Sequence, residues 1–121
     1  MTISSIKDLK VYNLSFELAM EVFNIATRFP KEEKYSLTSQ IIRSSRSVSA
    51  NIREGFAKRD YEQVFIKHLI DALGSSEETC TWLDFAHKCN YLEINEYNNI
   101  INKYKELGAM LYSLQKNWKK L

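Results

Sequence analysis

Apolar residues recur at three- and four-residue steps in four stretches of the chain, and polar residues fill the positions between them. In the first stretch, about Leu9 to Arg28, the line Val11, Leu14, Leu18, Val22, Ile25 and Phe29 predicts a helix that Pro30 stops. A second line lies beside it: Tyr12, Phe16, Ala19, Phe23 and Ala26. Together the two lines cover an arc of about 200°, roughly twice what a monomeric bundle must bury. The excess predicts a second buried surface on this helix.

The second helix runs from about Ser36 to Phe56, with Leu37, Ile41, Val48, Ile52 and Phe56 on its core face. Ser36 is the expected N-cap, and Gly55 lies near the C-terminal end. The third starts at Asp60, with Gln63 placed for a capping box. It carries Val64, Phe65, Leu69, Ala72, Leu73, Ser76, Thr79, Leu83 and Ala86 and ends at Lys88, with Asn90 suited to a left-handed C-terminal residue. Gly74 in its middle costs about 1 kcal/mol relative to Ala, which predicts a close helix crossing there. The fourth runs from about Asn95 to Lys119. Its seam is Tyr97, Ile101, Tyr104, Gly108, Leu111 and Trp118, beside Ile100, Leu107 and Leu114. Short connections make consecutive helices antiparallel neighbours. The expected fold is all-α, an antiparallel up-down-up-down four-helix bundle, as a single domain over residues 1–121.

Composition agrees. Three glycines and one proline in 121 residues are too few for a turn-rich sheet protein. No apolar run approaches the roughly 20 residues of a membrane span, so no membrane partner is expected. The segment Met1 to Lys7 lacks a signal-peptide core, and the expected location is the cytoplasm. Cys80 and Cys89 are nine residues apart on one helix, roughly 13 Å along its axis, and are read as free thiols.

The net charge of +2 conceals an uneven distribution. Residues 40–59 hold Arg43, Arg46, Arg53, Lys58 and Arg59 against Glu54 alone, whereas residues 71–100 hold six acids against Lys88 alone. Antiparallel order gathers Lys7, Lys10, Arg53, Lys58, Arg59, Lys116, Lys119 and Lys120 at one end of the bundle. Asp84, Glu93 and Glu96 fall toward the other end. On the second helix Arg43, Arg46 and Arg53 span an arc of about 80° opposite the core face. Gln40, Ser47, Asn51 and Glu54 form a polar strip between arginines and core, a candidate seam between subunits.

Arginine forks match phosphate oxygens, so the basic face and end form a candidate nucleic-acid site. The alternative for each arginine is a solvated helix face. Most aromatic residues fall on the apolar lines and are read as core. Enzyme signatures are missing. Gly55, Gly74 and Gly108 are isolated and cannot build a phosphate loop. No G-x-S-x-G elbow occurs, and the two S-x-x-K matches, at Ser4 and Ser113, lack their companion motifs. His68, His87, Cys80 and Cys89 have no metal-ligand spacing, and Glu77 and Glu78 lack the Glu-x-x-His pattern of di-iron bundles. No enzyme, cofactor or metal is expected.

Six segments carry a resemblance: Asp8-Leu9-Lys10-Val11-Tyr12, Phe29-Pro30-Lys31-Glu32-Glu33, Leu37-Thr38-Ser39-Gln40-Ile41, Ser47 through Gly55, Ala72-Leu73-Gly74-Ser75 and Asn90-Tyr91-Leu92. With them the chain resembles the S23-type four-helix bundle proteins encoded in intervening sequences of bacterial 23S rRNA genes. The resemblance implies a non-enzymatic cytoplasmic bundle and a homo-oligomer, a pentamer in ring-forming members. Through the related accessory proteins of diversity-generating retroelements it also implies RNA or DNA, and a reverse transcriptase, as partners. Tyr12, Phe16, Phe23, Gln40, Ser47, Asn51, Glu54 and Gly55 are the expected interface or family-motif positions. The family often has proline where this chain has Ser49, a small residue where it has Arg53, and glycine where it has Asn90. The Arg53 departure strengthens the arginine face. Two functions remain open: an oligomeric RNA-binding module, or a protein scaffold without affinity for nucleic acid.

Overall fold

A computed structural model of the chain describes residues 3–118. Four α-helices make up most of it: α1 (Lys10–Ala26), α2 (Ser39–Ala57), α3 (Glu62–Lys88) and α4 (Ile94–Asn117). Short 3-10 turns at Ile6–Asp8 and Lys31–Glu33, and a π turn at Lys34–Thr38, complete the chain. No strand occurs among the described residues.

Side-chain partners show how the helices lie. As α1 ascends, its partners on α2 descend: Tyr12 meets Arg53, Ser15 meets Ser49 and Phe23 meets Arg46. The same reversal pairs Ser44 with Thr79 and Asn51 with His68 across α2–α3, and Tyr97 with Asp84 and Trp118 with Phe65 across α3–α4. Across α4–α1 it pairs Glu96 with Arg28 and Lys103 with Glu21. The four helices therefore close into a ring of antiparallel neighbours around one core. Leu18, Val22, Ile41, Val48, Ile52, Phe65, Leu69, Leu83, Ile100, Leu107 and Leu111 have almost no exposure. These are apolar periodic positions of all four helices; in α4, however, Ile100, Tyr104, Leu107 and Leu111 are buried, whereas Tyr97, Ile101 and Trp118 of the expected seam are only partly so.

Helix ends depart from expectation. α1 ends at Ala26, and a tight turn through Thr27, Arg28 and Phe29 leads to Pro30. Ser36 is not the cap of α2. Its hydroxyl donates instead to the Glu33 carboxylate (2.6 Å), which also accepts from the Leu37 backbone N–H, so Glu33 caps the π turn that leads into the helix. Asp60 makes no capping box: the Tyr61 N–H bonds the Lys58 carbonyl, which extends the preceding turn and delays the start of α3 to Glu62. Asn90 does take the left-handed conformation, φ 64°. The Tyr91 N–H reaches back to the Ala86 carbonyl and the Asn90 N–H to the His87 carbonyl, the pair of hydrogen bonds that closes a helix at such a residue.

The close crossing lies at Gly55, not at Gly74. A Cβ on Gly55 would stand 2.5 Å from His68 Cβ and 3.0 Å from Phe65 Cδ1, whereas a Cβ on Gly74 would meet nothing within 4 Å. Gly74 faces solvent, and so does Val64, which the apolar pattern assigns to the core. No helix among the described residues is long and apolar enough to cross a membrane.

Candidate nucleic-acid interface

The five basic residues of the second helix and its turn have different fates. Arg43 turns toward α3, where its guanidinium pairs with the Glu78 carboxylate and also donates to Gln40. Lys58 pairs with Glu54 one turn earlier, at 3.1 Å, and this contact holds the Glu54 carboxyl below its usual range. Arg59 folds over the Phe56 ring, 4.0 Å from its centroid, and donates to the Phe56 carbonyl.

Arg46 and Arg53 turn the other way, toward α1. Arg46 lies over the Phe23 ring (5.6 Å) and Arg53 over the Tyr12 ring (5.8 Å), where it also donates to the Tyr12 hydroxyl at 3.3 Å. Neither meets a carboxylate among the described residues. A ring face orients a guanidinium without cancelling its charge, and the planar edge keeps N–H groups for another acceptor. These arginines are held in place and remain un-neutralised.

A recess of about 320 Å³ separates them, lined by Tyr12, Phe16, Ala19, Met20, Ser49 and Ala50 as well as both arginines. Its position follows from the sequence of α2: Arg46, Ser49, Ala50 and Arg53 fall at i, i+3, i+4 and i+7, one face of a helix. Two small residues between two long ones leave a hollow. Ser49 Oγ bonds Ser15 Oγ at 2.9 Å, which draws α2 against α1 and fixes the floor. The outer wall, Phe16 and Met20, is apolar and open, at 53% and 49% exposure, and Phe23 beneath Arg46 is 37% exposed. The second line of α1 is thus divided. Tyr12, Ala19 and Ala26 are buried within the chain, and Phe16 and Phe23 stay at the surface.

The polar strip of α2 lies elsewhere. Ser47 bonds Ser75 at 2.9 Å, Asn51 bonds the Ser47 carbonyl and His68 Nδ1, and the His68 ring stands 4.0 Å from Glu54. Ser47, Asn51 and Glu54 are therefore a seam between α2 and α3 of one chain, beside the Gly55 crossing, and their hydrogen bonds are already formed there. Gln40 is occupied by Arg43. The three-arginine face is likewise divided, because Glu78 of α3 lies within reach of Arg43 only. Lys116 stands over the Tyr112 ring on α4 at 5.2 Å, away from the recess. Lys119 and Lys120 lie outside the described residues. Met20, Ser49 and Ala50 were not expected at the site, although the i, i+3, i+4, i+7 spacing around Arg46 contains the signal for the two on α2.

Burial pushes the Cys80 thiol up to about 12, and the Asp84 hydrogen bond pushes the Tyr97 hydroxyl up to about 12. Among the described residues no three His, Cys, Asp or Glu side chains are grouped to hold a metal ion.

Comparison with known proteins agrees with this architecture. The sequence profile of the 23S rRNA-intervening sequence protein family matches residues 7–113. A crystal structure of a protein of unknown function from the S23 ribosomal protein family of Bacteroides thetaiotaomicron superposes with a TM-score of 0.79. It is 32% identical over 88% of this chain and 98% of its own. No curated protein matches. With a profile match over nearly its whole length and a like fold at 32% identity, the chain belongs to the 23S rRNA-intervening sequence protein family.

Proposed function

We propose that this protein is a non-enzymatic helical module that binds nucleic acid, RNA foremost, on the α1–α2 face. One observation carries the reading: Arg46 and Arg53 are held over aromatic rings, with no carboxylate among the described residues to neutralise them, at the two ends of an open apolar recess. Arg43 and Lys58, by contrast, are paired with Glu78 and Glu54, while Arg59, on the turn after α2, lies over the Phe56 ring away from the recess. Phosphate oxygens fit the open N–H edges of the Arg46 and Arg53 guanidiniums. Binding of this kind is mainly electrostatic and weakens steeply with salt.

The test is RNA binding followed by fluorescence anisotropy at low and physiological ionic strength. Arg46→Ala with Arg53→Ala should weaken binding by tenfold or more. The same pair should lower the log–log salt slope by about 1.4, since each phosphate that an arginine neutralises on a single strand adds about 0.7 to it. Arg43→Ala, which removes an already neutralised charge, should change affinity by less than about threefold. Absence of binding at low salt, or equal losses for Arg43 and the Arg46–Arg53 pair, would sink the reading.

A second reading is favoured by the run of Phe16, Met20 and Phe23, large apolar side chains left open along one helix. In it the same face joins copies of this chain, or a protein partner, into a homo-oligomer or scaffold. Light scattering decides. Under this reading Phe16→Ala with Phe23→Ala lowers the mass of the assembly; an unchanged mass rejects it.

A further inference from the structure

We infer that the recess between Arg46 and Arg53 receives one unstacked base of a single-stranded nucleic acid, with the phosphates on either side of that base held by the two guanidiniums; this rests on the nucleic-acid reading of the same face. The geometry has three parts. First, the recess is a hollow and not a flat charged surface. Its volume is about 320 Å³, at the small end of the range for ligand pockets. Second, its lining is mostly apolar. The Phe16 ring and Met20 form an exposed wall, Ala19, Ser49 and Ala50 form a small-residue floor, and Tyr12 closes the Arg53 end. An apolar lining suits the face of a base and gives a phosphate nothing. Third, the charges sit at the ends. Arg46 and Arg53 are seven residues apart on one helix face, about 10 Å along the axis, so the recess lies between two anion contacts.

A double helix cannot use this arrangement. Its bases are paired and stacked, and only its phosphates are available to arginine. A single strand can turn a base into the hollow, against Phe16, while its backbone crosses both guanidiniums. The ring-held arginines are oriented before binding, and Ser49 is tied to Ser15, so little must be ordered when the strand arrives. The one polar side chain of the floor, Ser49, is tied to Ser15, so the hollow offers little by which to choose among bases. The expected selectivity is therefore for unpaired over paired strands, with weak preference among the bases.

Three probes test this: a short uridine strand, the same strand with abasic sites throughout, and a duplex of equal length. The native protein should bind the base-bearing strand about tenfold more tightly than the abasic strand, the equivalent of one base stacked on an aromatic ring. The duplex should bind no better than the abasic strand. Phe16→Ala and Phe16→Leu should both bring the base-bearing to abasic ratio toward one, and Phe16→Trp should restore it. Phe16 is more than half exposed, so these variants should fold, and circular dichroism checks that they do. Equal binding of all three probes by the native protein, with the Arg46–Arg53 variant still defective, overturns the base pocket and leaves the basic-face reading intact. No binding of any probe at low salt overturns both. A fall in oligomer mass for Phe16→Ala, with the probe ratio unchanged, assigns the hollow to a second copy of the chain and overturns the pocket.

Discussion

On the flank of α2 that meets α3, polar side chains are matched one to one: Ser44 with Thr79, Ser47 with Ser75, Asn51 with His68 and Arg43 with Glu78. On the flank that meets α1, a single hydroxyl pair at Ser15–Ser49 is surrounded by exposed apolar side chains and two arginines that rest on rings. Both flanks belong to one helix of 19 residues, and both carry serines and arginine. The neighbour makes the difference. α3 brings hydroxyls, an imidazole and a carboxylate to the shared surface, so the polar groups of α2 are used up in holding the fold. α1 brings aromatic rings and methionine, which position charge without cancelling it. The first flank is built for stability and the second leaves binding capacity at the surface.

The largest effect should come from testing how tightly the stabilising flank is packed. Gly55→Ala would place a Cβ 2.5 Å from His68 Cβ, an atom one bond from the α3 backbone that cannot swing aside. The helices must separate, and the cost should be about 2–3 kcal/mol. Gly74→Ala meets nothing within 4 Å and should stabilise the fold by up to about 1 kcal/mol through helix propensity. Urea unfolding followed by circular dichroism measures both. Similar values for the two glycines would remove the special status of the Gly55 crossing.

These two glycines also mark the limit of what the sequence displays. Periodicity locates the four helices and most of the core, because burial of an apolar stripe is a property of each helix alone. Gly55 and Gly74 both look like interruptions of a helical pattern, and which one touches a neighbour depends on the rotation of α2 against α3. The same rotation decides that Ser47 and Asn51 face α3, and that Glu78 captures Arg43 but not Arg46. A helical wheel gives the angle of each arginine around α2. It does not show which helix supplies the counterion, so three arginines that share an arc in the sequence divide into one neutralised and two open. The division of α1 is similar: Tyr12 and Phe16 belong to one apolar line, yet only Tyr12 is covered, by Arg53.

A smaller effect should come from the polar matching itself. Ser44 and Thr79 are fully buried, with their hydroxyls 2.8 Å apart. Ser44→Ala removes one partner and should cost about 1 kcal/mol, while Thr79 Oγ1 keeps its bond to the Ser75 carbonyl. Adding Thr79→Val to Ser44→Ala should cost less than the two separate effects together, because each single change already breaks the shared bond. A double-mutant cycle in urea reads the coupling. Strict additivity would mean that the serines act only as small spacers between α2 and α3, and the contrast between the flanks would then be one of size and not of hydrogen bonding.

The smallest effect separates two ways of holding a carboxylate, one at the edge of the matched flank and one at the entry to α2. Lys58 depresses the Glu54 pKa chiefly through a side-chain hydrogen bond and its charge, with His68 adding to it. Hydrogen bonds from Ser36 and Tyr91, with the Leu37 N–H, depress that of Glu33. In both cases the folded pKa lies below the ordinary value of 4.5, so the folded protein binds protons less readily than the unfolded chain. The stability each contributes is fully present above 4.5 and is lost as pH falls through the folded pKa. Glu33→Gln and Glu54→Gln should each make the acid limb of a stability–pH curve shallower. Salt distinguishes them. The charge contribution at Glu54 is exposed and screened, so the difference between native and Glu54→Gln should shrink at high ionic strength. The Glu33 difference rests on neutral donors and should persist. Thermal melts of the native protein and both variants, from neutral pH to below 4 at two salt concentrations, give all six curves. If the Glu54 difference survives high salt unchanged, then the Lys58 contact acts as a fixed hydrogen bond like those at Glu33, and the matched flank extends to the last turn of α2.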